Sequence, residues 1–370
     1  MKKIALIILC GFSLLGLGGC QHTAQVRTPR QAPRQFVVRT HWQRNQQQPA
    51  RLVRFIKRGM LTKQGLYTNY QTEKAQTQVA TGHELLLESS GLWLNYLAQT
   101  RQTTAFKTFY RTTKRTFYQK QQFGYRYQPR THQLANVNAT LDDLRVIRAL
   151  LTMAQQTHSR QQRHEAAQLF AQLQQQKVIT GGKVAAFRNR DNGAVSADAP
   201  LAYYDLLTLR YFETGRQRNA YQQQLKIVQQ GYLGDAFPLY ASSYNWHSKG
   251  YSNQDLNTSE ALETLLHLAE VGHLKATSVT WLKTQVAQHQ LANGYSVTGG
   301  VTDRDQSAGS YALAAMIFAT VGEQKAYHQA MAQVWQAQNT QVSSALYGAL
   351  SVGKQSYSYN DLVGLSAALY

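Results

Sequence analysis

Three carboxylate side chains stand on helix faces that are otherwise apolar. Glu88 lies on the face that a helix over residues 82–99 would bury, and burial would raise its pKa and suit it to donate a proton. Asp143 aligns with the buried stripe of a later helix. Glu260 lies in a first helical turn, where the helix dipole favours a carboxylate with a low pKa. A proton donor and a carboxylate base together predict general acid–base chemistry.

Each of these carboxylates also has a purely structural interpretation. Glu88 is a surface residue if its helix is phased differently, and Glu84, one turn earlier, then takes its place. Asp143 stands near a helix start, where an acidic side chain stabilises the helix dipole. Asn257 and Glu260 have nearly the spacing of a capping box. The sequence alone leaves these interpretations open.

Motifs for other chemistries are incomplete. The sequence lacks the Gly-x-Ser-x-Gly elbow of serine hydrolases, and the Gly-Gly-Lys at 181–183 lacks the upstream glycine and the following Ser or Thr of a phosphate-binding loop. The His-Glu pairs at 83–84 and 164–165 are not followed by the second histidine of a zinc protease. No cofactor and no metal is therefore expected.

The elements that hold these residues are predicted to be helices. Beyond residue 50 the apolar residues recur at spacings of three and four, and strand-like alternation is scarce. Short links group the helices into six hairpins, which predicts an all-α (α/α)6 barrel. An open solenoid is the alternative, but no repeat of fixed length is present. The predicted helices span residues 47–60, 82–99, 102–118, 141–156, 159–175, 200–214, 216–231, 257–271, 276–289, 308–321, 323–338 and 359–369.

Long loops between the hairpins are rich in aromatic residues and are predicted to meet at one end of the ring. They span residues 123–139, 181–200 and 234–255. Aromatic rings in such loops can stack on sugar rings, and they also often form the local core of the loop. The candidates for sugar contact are Tyr125, Tyr127, Tyr244, Trp246 and Tyr251.

The N-terminus has the features of an export signal. Two lysines precede an apolar run over residues 4–17, which is short for a membrane span and ends in Gly-Gly-Cys. This ending resembles a bacterial lipoprotein signal, whose cysteine, here Cys20, is acylated and becomes the first residue of the mature chain. An ordinary signal peptide or an uncleaved anchor is the alternative. The predicted organisation is a signal peptide (1–19), a lipidated cysteine with a linker (20–50) and one helical domain (51–370).

The chain is strongly basic, with 39 Lys and Arg against 19 Asp and Glu and a formal net charge of +20. No acidic residue precedes Glu73, so the linker is a basic tether that would lie on anionic lipid beside the acylated Cys20; a solvated stalk is the alternative. Because the chain is predicted to be exported, nucleic acid is not an expected partner. The predicted protein is a monomer, lipid-anchored to the extracytoplasmic face of the cell membrane.

Several segments resemble glycoside hydrolase family 8. The run 87–92 resembles the family's Ser-Glu-Gly-Gln-x-Tyr segment, and the run 139–143 resembles its Ala-Thr-Asp-Ala-Asp helix start. The segments 310–314 and 359–362 are similar in kind, and the resemblance extends from about residue 51 to the end. It implies an (α/α)6 barrel that cleaves β-linked glucan, xylan or chitosan with inversion at the anomeric carbon.

The resemblance also implies roles for the candidate residues. Glu88 falls at the general acid, and Asp143, with Arg145 nearby, falls where the family holds the sugar at the cleavage point. Glu260 falls near the general base, which is an Asp in many members; since Glu is one methylene longer, Asp255 is the reserve base. Two departures are Leu141 in place of the first Asp of Asp-x-Asp and Ser90 in place of the Gln after the acid.

These observations predict a membrane-tethered, endo-acting, inverting glycoside hydrolase that processes exopolysaccharide or cell-surface glycan. A basic rim would repel cationic chitosan, so glucans are the expected substrates. The alternative is a glycan-binding or polysaccharide-assembly lipoprotein that kept the barrel and lost activity, as the two departures suggest. A third possibility is a basic surface protein that tethers anionic wall polymer.

Overall fold

The computed structural model describes residues 26–72, 82–215 and 218–370. The predicted signal peptide, Cys10 and Cys20 lie outside these residues. Within them, no helix combines the length and the apolar character that crossing a bilayer requires.

Twelve helices fold in the described part of the chain, as the spacing of apolar residues predicted. The hairpins alternate an inner helix, which is buried on nearly all sides, with an outer amphipathic helix. Their bounds are Gln47–Phe55 (α1), Leu87–Gln99 (α2), Thr103–Phe117 (α3), Thr140–Thr157 (α4), Arg160–Gln175 (α5), Leu206–Phe212 (α6), Arg218–Gln230 (α7), Thr258–Glu270 (α8), Ala276–Ala287 (α9), Ala308–Val321 (α10), Gln324–Gln336 (α11) and Ser358–Ala367 (α12).

The inner helices close into a ring. Helix α2 packs on α4, α8 on α6 and α10, and α10 on α12, and the turn at 201–203 joins α4 to α8. Helix α12 returns to pack on α2, which an open solenoid would not allow. The prediction of a closed (α/α)6 barrel is confirmed, and the contacts that close it lie within residues 26–370.

Three helix boundaries differ from the prediction for local reasons. Leu85 and Leu86 are extended because they pair with the strand Arg126–Gln128, so α2 begins at Leu87. The predicted helix 200–214 divides into a 3-10 turn at Leu201–Tyr203 and α6, because Asp205 caps α6 by accepting a hydrogen bond from the N–H of Thr208. The predicted helix 47–60 changes to a π-helical turn after Phe55.

Short antiparallel strands connect the helices. Three three-stranded sheets have the orders β1-β4-β5, β10-β9-β8 and β11-β12-β13, and three hairpins are β2-β3, β6-β7 and β14-β15. The strands are Leu85–Leu86 (β1), Tyr118–Gln119 (β2), Gln122–Phe123 (β3), Arg126–Gln128 (β4), Gln133–Leu134 (β5), Ile179–Thr180 (β6), Lys183–Val184 (β7), Asp198–Pro200 (β8), Ser243–Asn245 (β9), Gly250–Tyr251 (β10), Leu256–Asn257 (β11), Gly294–Tyr295 (β12), Val301–Asp303 (β13), Ser351–Val352 (β14) and Gln355–Ser356 (β15).

The inner helices all run in the same direction because each is followed by an outer helix that returns along the barrel. Strands β1 and β11 run directly into α2 and α8, so the sheets gather at the N-terminal end of the inner helices. A side chain in the first turn of any inner helix therefore lies at this end, and first turns from different hairpins meet there.

Part of the segment that the sequence predicted as a linker packs against the barrel. We call residues 30–46 the N-terminal strap. Phe36 is 5% exposed, its ring meets that of Tyr211 edge-on at 5.5 Å, and its carbonyl accepts a hydrogen bond from Gln99 Nε2 at 2.7 Å. The N–H of Trp42 donates to the carbonyl of Tyr370. Because Gln99 and Tyr370 lie at the C-terminal ends of α2 and α12, the strap crosses the end of the barrel opposite the sheets.

Candidate active site

One arginine holds three carboxylates where the inner helices begin. Arg145 Nη1 lies 2.9 Å from Asp142 Oδ1 and 3.4 Å from Glu88 Oε2, and Arg145 Nη2 lies 2.7 Å from Glu263 Oε1. The side chains of Asp142 and Glu263 are buried, while that of Glu88 is 27% exposed and open to a ligand. The close approach of α2 to α4 depends on Gly91, because a Cβ there would lie 2.8 Å from the Cβ of Arg145.

Three further residues border this cluster. Tyr359, at the start of α12, donates its hydroxyl hydrogen bond to Glu263 Oε1 at 3.1 Å. Burial raises the pKa of Tyr203, and the charges of Asp142 and Glu260 raise it further, so its phenol lies within electrostatic range of both. Glu260 is an exposed residue in the first turn of α8, where Asn257 caps the helix by accepting from the N–H of Glu260.

The carboxyl groups of Glu88 and Asp142 hold protons more tightly than free carboxyls do. Burial raises the pKa of Glu88, with help from the charges of Glu263 and Glu260 and against the charge of Arg145. Burial also raises the pKa of Asp142 to about 7, against Arg145. Four carboxyl groups share the charge of a single guanidinium here. Because the pKa of Glu88 is raised and its side chain is partly exposed, Glu88 is suited to donate a proton.

A second ion-pair network lies deeper in the barrel. Arg148 Nη2 lies 2.8 Å from Asp205 Oδ1 and 2.6 Å from Glu270 Oε2. His267 stands between the two networks, 3.6 Å from Glu270 and 3.8 Å from Glu263. Asp205, His267 and Glu270 have the donor types of a metal site and lie within 4.8 Å of one another. The guanidinium of Arg148 already binds both carboxylates, so we assign no metal to them.

A cavity of about 810 Å³ separates the candidate site from the strap. Arg145 and Glu263 line it from above, Arg148 and Glu270 line it along the barrel, and the strap closes it below. Glu88 and Glu260 do not line this cavity, so the exposed carboxyls belong to the opposite end of the barrel.

The architecture has close counterparts among solved structures. The chain is similar to an α-amylase from Clostridium perfringens, with a TM-score of 0.80 and 21% identity over 90% of this chain and 99% of that one. It is similar to PssZ from Listeria monocytogenes, with a TM-score of 0.68 and 14% identity over 86% and 94% of the two chains. It is also similar to the family 8 endoglucanase Cel10 from Klebsiella pneumoniae, with a TM-score of 0.61 and 15% identity over 85% and 96%. The chain has the fold of family 8 glycoside hydrolases.

The likeness to family 8 is one of fold. No protein-family model matches the sequence, and no curated protein sequence matches it.

Within this family 8 fold, Asp142 and not Asp143 joins the cluster of Glu88 and Arg145. Asp143 is buried on the far side of α4, where Asn138 Nδ2 donates to its Oδ2 at 2.5 Å. Burial raises the pKa of Asp143 well above its usual value. Successive residues of a helix point about 100° apart, so a one-residue error in phase exchanges the two aspartates.

Two further expectations about the carboxylates need correction. The pKa of Glu260 is raised, by desolvation and by the charge of Glu263, whereas its place in a first helical turn predicted a low value. Glu84 precedes α2 and is buried in a two-pronged ion pair with Arg126 at 2.7 Å, so it does not lie one helical turn before Glu88. Asp255, the reserve base, is exposed in the loop before β11.

The predicted sugar-contacting aromatics fall into two groups. Tyr125 adjoins the start of α2, since its carbonyl accepts from the N–H of Leu87 at 2.9 Å, and Tyr127 lies nearby in β4. Tyr244 packs edge-on against Trp246 at 5.1 Å and against Tyr251 at 5.0 Å. This second group covers α7, because Tyr251 donates to the carbonyl of Ile227, and forms a local loop core.

Sequence reasoning did not single out four residues of the cluster: Asp142, Tyr203, Glu263 and Tyr359. Glu263 left a usable signal, because it follows Leu262 and precedes Leu265 and Leu266 on an apolar helix, where an unpaired carboxylate would be costly to bury. Tyr203 and Tyr359 reach the cluster only through the closure of the ring.

The buried carboxyls predict that the protein is more stable at mildly acidic than at alkaline pH. Burial raises the pKa of Asp142, Glu213 and Asp361 to about 7 each, while unfolded carboxyls titrate near pH 4. Between these values the folded chain binds more protons, so stability falls as pH rises from about 4 to about 7 and then levels off. We expect Tm by calorimetry to be about 5 °C higher at about pH 5 than at about pH 8.

Glu213→Gln provides the control for this pH dependence. Glu213 Oε2 is buried without a hydrogen-bond partner among the described residues, and Gln at this position has nearly the same shape but does not titrate. The variant should lose part of the pH dependence and keep the fold. A wild-type Tm that rises from pH 5 to pH 8 would contradict the argument.

Proposed function

We propose that this chain is a glycoside hydrolase that cleaves a glucan-type polysaccharide internally with inversion. The observation that carries the proposal is the carboxyl of Glu88, which is partly exposed, has a raised pKa and is fixed by Arg145 at the end of the barrel where Glu260 also lies. A proton donor with a second carboxyl nearby is the equipment that glycoside hydrolysis requires.

In the proposed mechanism Glu88 protonates the glycosidic oxygen. Glu260 takes a proton from a water molecule that attacks the opposite face of the sugar, which needs carboxyls about 6.5–9.5 Å apart. Asp255, exposed in the preceding loop, is the reserve base. Asp142 and Arg145 take the sugar-holding role that the family resemblance gave to Asp143 and Arg145, because Asp142 is the aspartate in the cluster.

This proposal has two candidate substrates, a β-linked and an α-linked glucan. The family resemblance implies β-linked glucan, and the likeness to the endoglucanase supports it. An α-linked glucan is the second candidate, because the solved α-amylase has a higher TM-score and is covered over 99% of its length. A polyanionic substrate is disfavoured because the site contains four carboxyls and one arginine.

The proposed location is the extracytoplasmic face of the cell membrane, with Cys20 lipidated. The N-terminal signal and the tether with no acidic residue before Glu73 support this location. A non-catalytic glycan-binding lipoprotein remains the alternative function, supported by Leu141 and Ser90 at positions where family 8 has Asp and Gln.

The test is sugar release by residues 21–370, which contain every described residue. We expect new reducing ends from one polymer in a panel of amylose, mixed-linkage β-glucan, cellulose, xylan, chitosan and exopolysaccharide. Proton NMR of the first products should show the anomer opposite to the bond cleaved, which is the mark of inversion. Retention of configuration would contradict the mechanism. Binding without any release of sugar would replace it by the glycan-binding alternative.

A further inference from the structure

The net charge of this protein lies in one part of the chain. Residues 1–164 contain 25 Lys and Arg and only five Asp and Glu, whereas residues 165–370 contain 14 of each. The whole formal charge of +20 therefore belongs to the first 164 residues, which include helices α1 to α4.

The acidic residues of this basic part do not neutralise its outer surface. Glu84 is buried against Arg126, Asp142 and Asp143 are buried, and Glu88 faces the candidate site. The remaining acid, Glu73, lies outside the described residues.

Outer helix α3 presents three of the cations in a row. Lys107, Arg111 and Arg115 are exposed and spaced by four residues, so they share one face of the helix over about 12 Å. Arg115 Nη2 donates to the carbonyl of Lys63 at 3.3 Å, which brings a fourth exposed cation beside them. We call these four residues the basic face.

The basic face stays unpaired among the described residues although a pairing partner is near. Lys114, next to Arg115, binds Glu165 of α5 at 2.8 Å, while none of the four cations forms an ion pair in the described part of the chain. Like charges four residues apart slightly destabilise a helix. An external anion would remove this repulsion.

Thr28, eight residues after Cys20, lies beside α5 and near α3. Thr28 Oγ1 lies 2.7 Å from Nδ1 of His164, and the adjacent Glu165 binds Lys114 and Tyr110 of α3. The eight residues from Cys20 to Thr28 span at most about 28 Å. An anchor at Cys20 would therefore hold the membrane within reach of the basic face.

We propose that the basic face binds anionic phospholipid headgroups and docks the folded barrel on the membrane. This proposal rests on the membrane location in the proposed function and is independent of catalysis. A soluble polyanion is the less favoured partner, because the anchor keeps the headgroups close at all times. Docking through α3 would fix the barrel against the surface instead of leaving it free on its tether.

The test compares two triple variants of residues 21–370 that carry the same net charge. The first variant removes three cations of the basic face by Lys107→Gln, Arg111→Gln and Arg115→Gln. The second removes three exposed cations from residues 165–370, which have no net charge, by Lys226→Gln, Lys325→Gln and Lys354→Gln. Sedimentation with vesicles of 30% phosphatidylglycerol in phosphatidylcholine measures binding. Each headgroup-contacting cation contributes several-fold, so we expect about 100-fold weaker binding for the first triple variant and less than about 3-fold for the second.

Several results would overturn the proposal. Equal losses in the two triple variants would show that net charge alone matters, and equal binding to pure phosphatidylcholine would exclude a role for anionic lipid. Tighter binding to soluble poly(glycerol phosphate) than to the vesicles would assign the face to a wall polymer. Because vesicle binding needs no turnover, a chain that hydrolyses nothing but passes this test refutes the proposed function and leaves the inference intact.

Discussion

The variant Glu88→Gln is expected to lower kcat for polysaccharide hydrolysis by about 10²–10⁴-fold while the protein stays folded. Glutamine has the shape of a protonated glutamic acid and can still accept the hydrogen bond that Arg145 Nη1 makes at 3.4 Å. It cannot give a proton to the leaving oxygen. Because Arg145 keeps Asp142 and Glu263 as partners, the substitution leaves no buried charge without a partner, and KM should change little.

The matched control is Glu323→Gln, which removes an exposed carboxylate that pairs with Lys283 on the outer surface. This variant should keep full activity, and both proteins should have the wild-type circular dichroism spectrum. The wild-type rate should also fall as pH rises through the raised pKa of Glu88, since the acid must be protonated. A Glu88→Gln variant that keeps more than about half of the activity would exclude Glu88 as the acid.

The fold could be predicted from the sequence because the patterns that specify its helices and hairpins are local. The recurrence of apolar residues at three and four fixes each helix, and short links fix the hairpins, as in the pair α4 and α5. The apolar pattern did not predict the residue at which each helix begins. The apolar spacing predicted a helix at Leu85 and Leu86, but these residues pair with a strand about 40 residues later. A short window of sequence does not reveal such long-range pairing.

The residues around Arg145 were anticipated from the sequence only in part. Glu88 was proposed because its helix face predicts burial, and Arg145 was proposed from the family resemblance. The choice between Asp142 and Asp143 depends on rotation about the helix axis, which a short apolar stripe fixes poorly. Glu263 binds Arg145 from a helix more than 100 residues later, and only closure of the ring brings them together.

The N-terminal strap shows where composition misleads. Residues 20–50 are polar, basic and without period, and these properties predicted a linker. Phe36 and Trp42 nevertheless fix the strap, both through their rings, which pack on Tyr211 and Tyr327, and through backbone hydrogen bonds to Gln99 and Tyr370. These partners lie far from the strap in the sequence, so no local pattern reveals the packing.

The variant Arg145→Met is expected to destabilise the folded protein by about 3–5 kcal/mol at pH 8. Methionine fills similar space but leaves Asp142 and Glu263 buried without their cation, and a buried unpaired carboxylate is costly. Urea denaturation followed by circular dichroism measures this loss. Arg304→Met, which changes an exposed arginine, should alter stability by less than about 0.5 kcal/mol.

The pH dependence identifies the cause of the loss at Arg145. Without the guanidinium the raised folded-state pKa of Asp142 rises further, so the folded variant binds more protons than the unfolded chain over a wider pH range. Its deficit should therefore be smaller at pH 5 than at pH 8. Adding Glu263→Gln to Arg145→Met removes one of the stranded charges and should recover part of the stability at pH 8. An equal deficit at both pH values, with no recovery in the double variant, would show that Arg145 acts by packing and not by charge.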